Sequence, residues 1–311
     1  MRQASLTMVH ELARQDKRVL FIGSDLGSGT LEPLRQEFPE RFFMEGIAEA
    51  NLIGMAAGLA MEGFIPYVNT IATFLTRRAF EQIALDVCLH HLPVRLIGSG
   101  GGLVYAPLGP THQAIDELAL MRSLPGMTVV APSDASEMRA MMKASLDLPG
   151  PLYIRLGKGG DPVLMPEGAP DFVFGRAVVV RDLGPVLLIS TGVMSDRALK
   201  AADLLAQKGI DCALLHLPTV KPLDEETIIQ FAAKARLVVS IEEHSKIGGL
   251  GSALAELFID RDLRLCPLLR LALPDAFVEN YGSQDSLLKR FGLQPEGIAD
   301  QVRKALESAP S

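Results

Sequence analysis

Short apolar runs alternate with longer runs of helical periodicity along almost the whole chain. The apolar runs are typical of strands buried on both faces of a parallel sheet. They lie at 19–22, 94–97, 128–130, 152–156, 186–190, 211–217 and 237–241. Apolar positions three and four residues apart predict helices at 47–60, 74–89, 135–146, 195–207, 224–234 and 251–258. Strands that alternate with helices predict an α/β protein with open, mostly parallel sheets.

The stretch 157–174 interrupts this alternation. It is rich in glycine and proline, which is the composition of a linker. Because the alternation restarts after it, we expect two α/β domains, at 1–165 and 166–311. Open parallel sheets bind ligands outside the carboxyl ends of their strands. Functional side chains are therefore expected just after positions 22, 97, 130 and 156.

Composition limits the partners of this chain. The 311 residues are 48% hydrophobic and 22% charged, as in folded globular proteins. The formal net charge is −7, tryptophan is absent and aromatic residues make up 5%. These values argue against a protein that binds the nucleic-acid backbone or stacks bases. A small phosphorylated substrate is compatible with them, because it needs only one or two local arginines.

The chain shows no signal for a membrane or for an oxidising compartment. Residues 1–18 have no long apolar core, and the apolar helix that ends at Glu62 is too short to span a bilayer. Cys88, Cys212 and Cys266 form no C-x-x-C pair, so neither a disulfide framework nor a zinc site is indicated. We expect a cytoplasmic protein with no metal ligands of its own.

Glu49 is the acidic residue at the head of the apolar run 47–60, and Glu45 lies four positions before it. This spacing predicts that both side chains share one helix face. Two interpretations of Glu49 are open. It is either an acidic residue stabilised by the dipole of a helix N-terminus, or a carboxyl group in an apolar pocket that holds or shares a proton.

His112 follows Gly109-Pro110-Thr111 in a loop and is the best placed of the six histidines for proton transfer. Arg77, Arg78 and Arg155 are candidates for binding a phosphate. Arg155 stands out because it lies at the end of a predicted strand. A surface or interdomain ion pair is the alternative for each arginine, and a plain loop residue is the alternative for His112.

Taken in order, several short segments resemble the C-terminal two-thirds of transketolase, and the corresponding parts of deoxyxylulose-phosphate synthase and of the beta subunit of 2-oxo acid dehydrogenases. The segments are Gly23-Ser24-Asp25-Leu26, Gly46-Ile47-Ala48-Glu49, Thr73-Phe74, Leu92-Pro93-Val94-Arg95, Gly109-Pro110-Thr111-His112, Ala131-Pro132-Ser133-Asp134, Lys221-Pro222-Leu223-Asp224, Glu242-Glu243-His244 and Gly248-Gly249-Leu250-Gly251-Ser252. The resemblance implies a pyrimidine-binding domain of a thiamine diphosphate enzyme, followed by the C-terminal domain of the family.

The resemblance also implies roles for the candidate residues. Glu49 matches the glutamate that bonds the aminopyrimidine ring of thiamine diphosphate, and Phe74 matches the aromatic residue that stacks on that ring. His112 matches a histidine that moves protons on the substrate hydroxyl. Arg155 matches an arginine that holds a substrate phosphate. Arg77, three residues after Phe74, is similar to the synthase pattern, whereas an aromatic residue is common there in transketolase.

Two departures from the family pattern concern the substrate. Leu108 stands where many relatives have an aspartate that reads a substrate hydroxyl. Gly100 and Gly101 stand where they have a histidine or an arginine. The resemblance therefore does not name the sugar.

A missing motif points to a partner. The family binds the diphosphate and Mg²⁺ through Gly-Asp-Gly and a later Asn, and this chain contains no Gly-Asp-Gly. We expect a complete C-terminal subunit whose N-terminal partner supplies that site, most simply in an α2β2 assembly.

The leading hypothesis is a two-component transketolase that moves a two-carbon unit between sugar phosphates. The alternatives are a dehydrogenase E1 beta-type or deoxyxylulose-phosphate-synthase-like subunit, and a non-catalytic scaffold.

Overall fold

The structure is a computed structural model that describes residues 1–26, 28–164, 171–263 and 267–308. The chain forms two compact units. The first unit comprises 1–101 and 120–173, and the second comprises 102–119 and 174–311. The boundary expected between 165 and 166 lies outside the described residues, as does Cys266.

The first unit is built around a parallel sheet. Its strands are β1 (Val19–Gly23), β2 (Phe42–Met44), β3 (Ile65–Ile71), β4 (Arg95–Ser99), β5 (Thr128–Val130) and β6 (Leu152–Leu156). They lie in the order β5-β6-β4-β3-β1-β2, and each neighbouring pair is parallel. The helices are α1 (Arg2–Gln15), α2 (Ser28–Glu37), α3 (Glu49–Met61), α4 (Ala72–Arg78), the short turn α5 (Phe80–Gln82) and α7 (Ala135–Ser145). Helix α6 (Glu117–Ser123) begins in the second unit and ends in the first.

The second unit contains another open sheet. The strands of this sheet are β7 (Val178–Arg181), β8 (Val186–Ser190), β9 (Cys212–His216), β11 (Leu237–Ser245) and β12 (Leu268–Leu273). The short strand β10 (Thr219–Lys221) lies outside this sheet. The sheet order is β12-β11-β8-β9-β7, and only the pair β7–β9 among these is antiparallel. The helices are α8 (Met194–Ala206), α9 (Glu225–Ala232), α10 (Leu250–Asp260), α11 (Gln284–Arg290) and α12 (Pro295–Ser308). The expected fold class, two open and mostly parallel α/β sheets, is confirmed.

Central strands follow the apolar pattern because both of their faces are buried. All five residues of β1 are buried, and the same holds for β4, β6, β8 and β9. The pattern did not predict β3, whose sequence contains Pro66 and Asn69. Asn69 is buried and donates from Nδ2 to the Ile97 carbonyl oxygen and to Ser99 Oγ, both at 3.0 Å. A polar residue thus fits a central strand when the neighbouring strand provides acceptors.

The start of α7 shows how sequence sets a helix boundary. Asp134 Oδ1 accepts hydrogen bonds from the backbone N–H groups of Ser136 at 2.7 Å and Glu137 at 3.0 Å. Glu137 Oε2 in turn accepts from the Ser133 N–H at 2.7 Å. This reciprocal cap satisfies donors that a helix N-terminus leaves unpaired. The predicted helix after Asp134 is confirmed.

The single helix predicted over 74–89 is wrong. The structure ends α4 at Arg78 and continues through α5 into a π-helical turn, Ile83–Cys88. The Leu89 N–H bonds the Ala84 carbonyl oxygen at 3.0 Å, five residues back rather than four. A π turn shifts the helical phase by a fraction of a turn, which a pattern of apolar positions does not reveal.

No helix within the described residues is long and apolar enough to cross a membrane.

Arg95 is a buried cation at the start of β4, with 0% of its surface exposed. Its Nη1 donates to the Gly150 carbonyl oxygen at 2.6 Å and its Nη2 to that of Leu148 at 2.5 Å. Burial lowers the pKa of the Arg95 guanidinium from its ordinary value, and the neighbouring Tyr67 opposes that shift. Arg95 thereby holds the loop between α7 and β6 against the sheet.

We predict that Arg95→Met lowers the free energy of unfolding by about 2–4 kcal/mol, because the buried Gly150 and the partly buried Leu148 carbonyl oxygens lose their donor. Urea unfolding of the purified chain measures this change. Arg35→Met, at an exposed position of α2, is the control and should change stability by less than about 0.5 kcal/mol. Equal stability of Arg95→Met and the wild-type chain would contradict this role.

Candidate active site

The candidate residues of the first unit lie at one edge of its sheet. Glu49 follows β2, Phe74 lies in α4 directly after β3, and Arg155 is the penultimate residue of β6. Gly101 follows β4. Because these strands are parallel, their carboxyl ends meet at the same edge. The fold therefore assembles positions that are far apart in the sequence.

Glu49 is the first residue of α3, and only 3% of its surface is exposed. The carboxyl group is thus largely removed from water, and its position at the helix start is compatible with both interpretations of Glu49. Arg78 Nη1 lies 3.2 Å from Glu49 Oε2 and 3.4 Å from Oε1. Glu45 is exposed and precedes α3, so the expected shared helix face with Glu49 is wrong. The buried carboxylate is met by a cation as well as by the N-terminal end of the helix dipole.

Arg78 joins Glu49 to Phe74. The guanidinium carbon of Arg78 lies 3.9 Å from the centroid of the Phe74 ring, which is a stacked cation–π contact. The two residues are four apart on α4, so helical geometry brings them together. The Arg78 side chain is 48% exposed. Glu49, Phe74 and Arg78 form one cluster, which we call the carboxylate–aromatic site.

For Arg78 the sequence left phosphate binding and an ion pair open, and it did not predict Glu49 and Phe74 as the partners. The spacing of four residues between Phe74 and Arg78 could have predicted their contact, because such residues are neighbours on a helix. The partner Glu49 lies 29 residues away along the chain, and its proximity follows only from the strand order. Arg77 also lies on α4 and is half-buried.

Arg155 is only 8% exposed and packs over the glycine-rich run that follows β4. A Cβ atom at Gly101 would collide with Nε and Cγ of Arg155, and one at Gly98 would collide with the Tyr153 hydroxyl. The run therefore makes room for side chains of β6. Because Arg155 fills the space beside Gly101, a large side chain does not fit there. This explains the departure from the family pattern, which has a histidine or an arginine at this place.

His112 belongs to the second unit. Its N–H bonds the Gly109 carbonyl oxygen at 3.1 Å, which closes a tight turn. Gly109 has φ +78°, a conformation that favours glycine. Thr111 Oγ1 lies 2.9 Å from Nδ1 of His112 and orients the half-buried imidazole. Leu108, in the same turn, is 51% exposed.

In the described part of the chain, no group of three or more His, Cys, Asp or Glu side chains is placed to hold a metal ion. Burial raises the pKa of the Cys212 thiol to about 12, so this thiol stays protonated near neutral pH.

We predict that Arg78→Met destabilises the chain by about 1–3 kcal/mol, because it leaves the buried Glu49 carboxylate without its cation. Adding Glu49→Gln should recover part of this loss. A double-mutant cycle, measured by chemical unfolding, should give a coupling free energy of about 0.5–3 kcal/mol. The matched cycle of Glu49→Gln with Arg35→Met should be additive. If the stability changes of Arg78→Met and Glu49→Gln are additive, the contact between these side chains contributes nothing to stability.

Comparisons with known proteins cover both units. The family model described as transketolase, pyrimidine binding domain, matches residues 1–160, and transketolase, C-terminal domain, matches 175–298. The putative uncharacterized transketolase family protein y4mN of Sinorhizobium fredii (strain NBRC 101917 / NGR234) is 39% identical over 298 residues, which are 95% of this chain and 86% of that protein.

Two further relatives carry more specific names. The 1-deoxy-D-xylulose-5-phosphate synthase of Synechococcus sp. (strain JA-3-3Ab) is 39% identical over 96% of this chain. The chain spans only 46% of that synthase, which is less than the two-thirds expected from the sequence. The 6-deoxy-6-sulfo-D-fructose transketolase subunit SqwH of Clostridium sp. (strain MSTE9) is 36% identical, with 99% of this chain and 94% of that subunit covered.

A solved structure described as a split gene transketolase, inactive beta4 tetramer, has a TM-score of 0.88 and 37% identity. The match covers 98% of this chain and 97% of that one. A transketolase mutant of Pichia stipitis shares the fold, with a TM-score of 0.77, 18% identity and 45% of its chain covered. The resemblance stated from the sequence is thus confirmed: the chain belongs to the transketolase family and corresponds to the C-terminal half of its longer members.

Proposed function

We propose that this chain is the C-terminal subunit of a two-component transketolase, a transferase that moves a two-carbon ketol unit between sugar phosphates with thiamine diphosphate. The observation that carries the proposal is the carboxylate–aromatic site, where a buried carboxylate lies beside an aromatic ring. In this proposal Glu49 and Phe74 bind the cofactor, and Glu49 and His112 are the catalytic residues.

The carboxylate–aromatic site fits an aminopyrimidine ring. The planar guanidinium of Arg78 contacts the Glu49 carboxylate at 3.2 Å and stacks 3.9 Å from the Phe74 centroid. A flat, nitrogen-rich group that donates hydrogen bonds therefore meets both residues at once. An aminopyrimidine is also flat and rich in nitrogen, and with a proton at a ring nitrogen it presents a donor that a carboxylate can accept. When bound, thiamine diphosphate supplies the nucleophilic carbon needed to break and form carbon–carbon bonds.

Glu49 would hold a proton at a ring nitrogen of the cofactor. Its burial matters, because a hydrogen bond to a carboxylate is stronger where water is excluded. Phe74 would fix the plane of the ring by stacking. Both roles need side chains held in place, and both residues sit in regular helices that directly follow the sheet edge.

His112 would move protons at a substrate hydroxyl. Imidazole is suited to this task because near neutral pH it can both accept and donate a proton at a small cost in free energy. The contact between Thr111 Oγ1 and Nδ1 sets the orientation of the ring. Arg155 and Arg77 would hold the substrate phosphate, which a guanidinium binds through two parallel hydrogen bonds.

An N-terminal transketolase subunit would complete the enzyme by binding the diphosphate and Mg²⁺. The chain lacks Gly-Asp-Gly, one relative is named as a subunit, and the split-gene relative is described as inactive as a β4 tetramer. The outer face of α3 supports subunit packing. Gly54 and Gly58 are exposed there, and a Cβ at either position would meet no atom within 4 Å. We propose an α2β2 assembly in the cytoplasm.

A deoxyxylulose-phosphate-synthase-like reaction is the second candidate. It is favoured by 39% identity to a synthase and by Arg77 three residues after Phe74. The two candidates differ in product, because the name of the synthase specifies 1-deoxy-D-xylulose 5-phosphate. Assay of the assembled enzyme for this product and for two-carbon transfer between sugar phosphates distinguishes them.

Purification of the tagged chain from its own host tests the proposal. We expect a stoichiometric partner that carries Gly-Asp-Gly and a downstream Asn, and two-carbon transfer by the pair. Glu49→Gln should lower kcat by about a hundredfold or more, because the proton held at the cofactor is lost. Glu45→Gln, at an exposed position before α3, should leave kcat unchanged. Full activity of the Glu49→Gln pair would instead favour a scaffold without a catalytic role.

A further inference from the structure

The segment that carries His112 is held by the second unit at several points. We call residues 102–119 the histidine loop. Leu103, Ala106 and Ile115 are buried in the same apolar cluster as core residues of β8 and α8. These three side chains make the loop part of the second unit's core, although it follows directly on a strand of the first unit's sheet.

Glu243 binds the N-terminal end of the histidine loop. Its Oε1 accepts a hydrogen bond from the Leu103 N–H at 2.7 Å. The Gln284 side-chain amide donates to both carboxylate oxygens of Glu243 at 2.9 Å. Glu243 is only 2% exposed, so these hydrogen bonds lie out of water, where a charged acceptor binds its donors strongly.

The C-terminal end of the histidine loop is held by the residues that follow Glu243 on β11. The Ser245 N–H donates to the Ile115 carbonyl oxygen at 2.7 Å. The Ala119 N–H donates to Nε2 of the buried His244 at 3.3 Å. Three consecutive residues of β11 therefore bind both ends of the segment that contains His112.

Two backbone features bring the ends together. Gly102 and Ala114 form an antiparallel bridge, with N–H to carbonyl distances of 2.7 and 3.0 Å. Gly102 has φ +65°, and a Cβ there would lie 2.5 Å from the Glu243 carboxyl carbon. Glycine is thus needed both for the conformation and for the close approach of the carboxylate. His112 lies two residues before the bridged Ala114, on a short path with fixed ends.

We propose that Glu243, supported by Gln284, is a positioning residue for two-carbon transfer, and that the second unit serves the reaction by fixing the histidine loop. The inference rests on the proposed role of His112. Glu243 acts through the backbone of the loop and touches neither substrate nor cofactor. Loss of its carboxylate should let His112 depart from the geometry that proton transfer needs.

Glu242 is a matched control on the same strand. It is 0% exposed, and its carboxylate accepts from the backbone N–H groups of Leu250 at 2.7 Å and Gly251 at 2.8 Å. These donors belong to the start of α10. Two adjacent buried glutamates therefore hold two different segments of the same unit.

Hydrogen exchange of the purified chain tests the anchoring. Glu243→Ala should speed amide exchange in 103–115 by about tenfold or more and leave 250–260 unchanged, since one anchored end is released. Glu242→Ala should affect 250–260 instead. Glu243→Gln retains an acceptor oxygen for the Leu103 N–H and should restore most of the protection. Unchanged exchange in 103–115 for Glu243→Ala would overturn the proposal.

Kinetics of the chain with its co-purified partner test the catalytic consequence. Glu243→Ala should lower kcat by about tenfold to a hundredfold with little change in KM, and Glu243→Gln should recover most of it. In a His112→Asn background, Glu243→Ala should cause almost no further loss, because it acts through His112. An additive loss would overturn the positioning role.

An inactive wild-type pair would overturn the proposed function itself, whereas the exchange experiment reports the anchoring in either case.

Discussion

A carboxylate that leaves water has to be met by hydrogen-bond donors or a cation, and this requirement organises both units of the protein. Glu49 is buried against the Arg78 guanidinium, Glu242 against the start of α10, and Glu243 against the histidine loop. Glu49 lies beyond the carboxyl end of β2, and Glu242 and Glu243 lie in the carboxyl-terminal half of β11. The donors come from segments that are distant in the sequence, so each buried charge specifies one arrangement of its neighbours.

The two units contribute differently to the proposed reaction. The first unit provides the carboxylate–aromatic site, built on helices that follow the sheet edge, and Arg155 on β6. The second unit holds the loop that carries His112 through β11 and α11. In this proposal the second unit serves to orient a catalytic side chain. Glycine is needed at positions 101, 102 and 109 because each leaves room for a side chain packed against it. These side chains are Arg155, Glu243 and Tyr281, respectively.

Much of the fold followed from the sequence because most central strands are continuous apolar runs and the helices between them are amphipathic. The strand β3 was missed because Pro66 and Asn69 break its apolar pattern, and the π turn after α5 because it alters helical phase. Glu49, His112, Arg77 and Arg155 were candidates from the residues themselves, whereas Phe74 and the specific roles of all five came from the family resemblance. Those roles are still predictions. The contacts of Arg78 and Glu243 were not foreseen, because they depend on strand order and on which unit holds residues 102–119.

The central claim is that the carboxylate–aromatic site binds the pyrimidine ring of thiamine diphosphate. Calorimetric titration of the cofactor into the co-purified pair, with Mg²⁺ present, tests it without reference to turnover. We predict that Glu49→Gln raises the Kd by about tenfold or more, as expected for loss of a hydrogen bond to a buried charged group. Glu45→Gln should leave the Kd unchanged. Equal Kd values for the wild-type and Glu49→Gln pairs would contradict the assignment of this site.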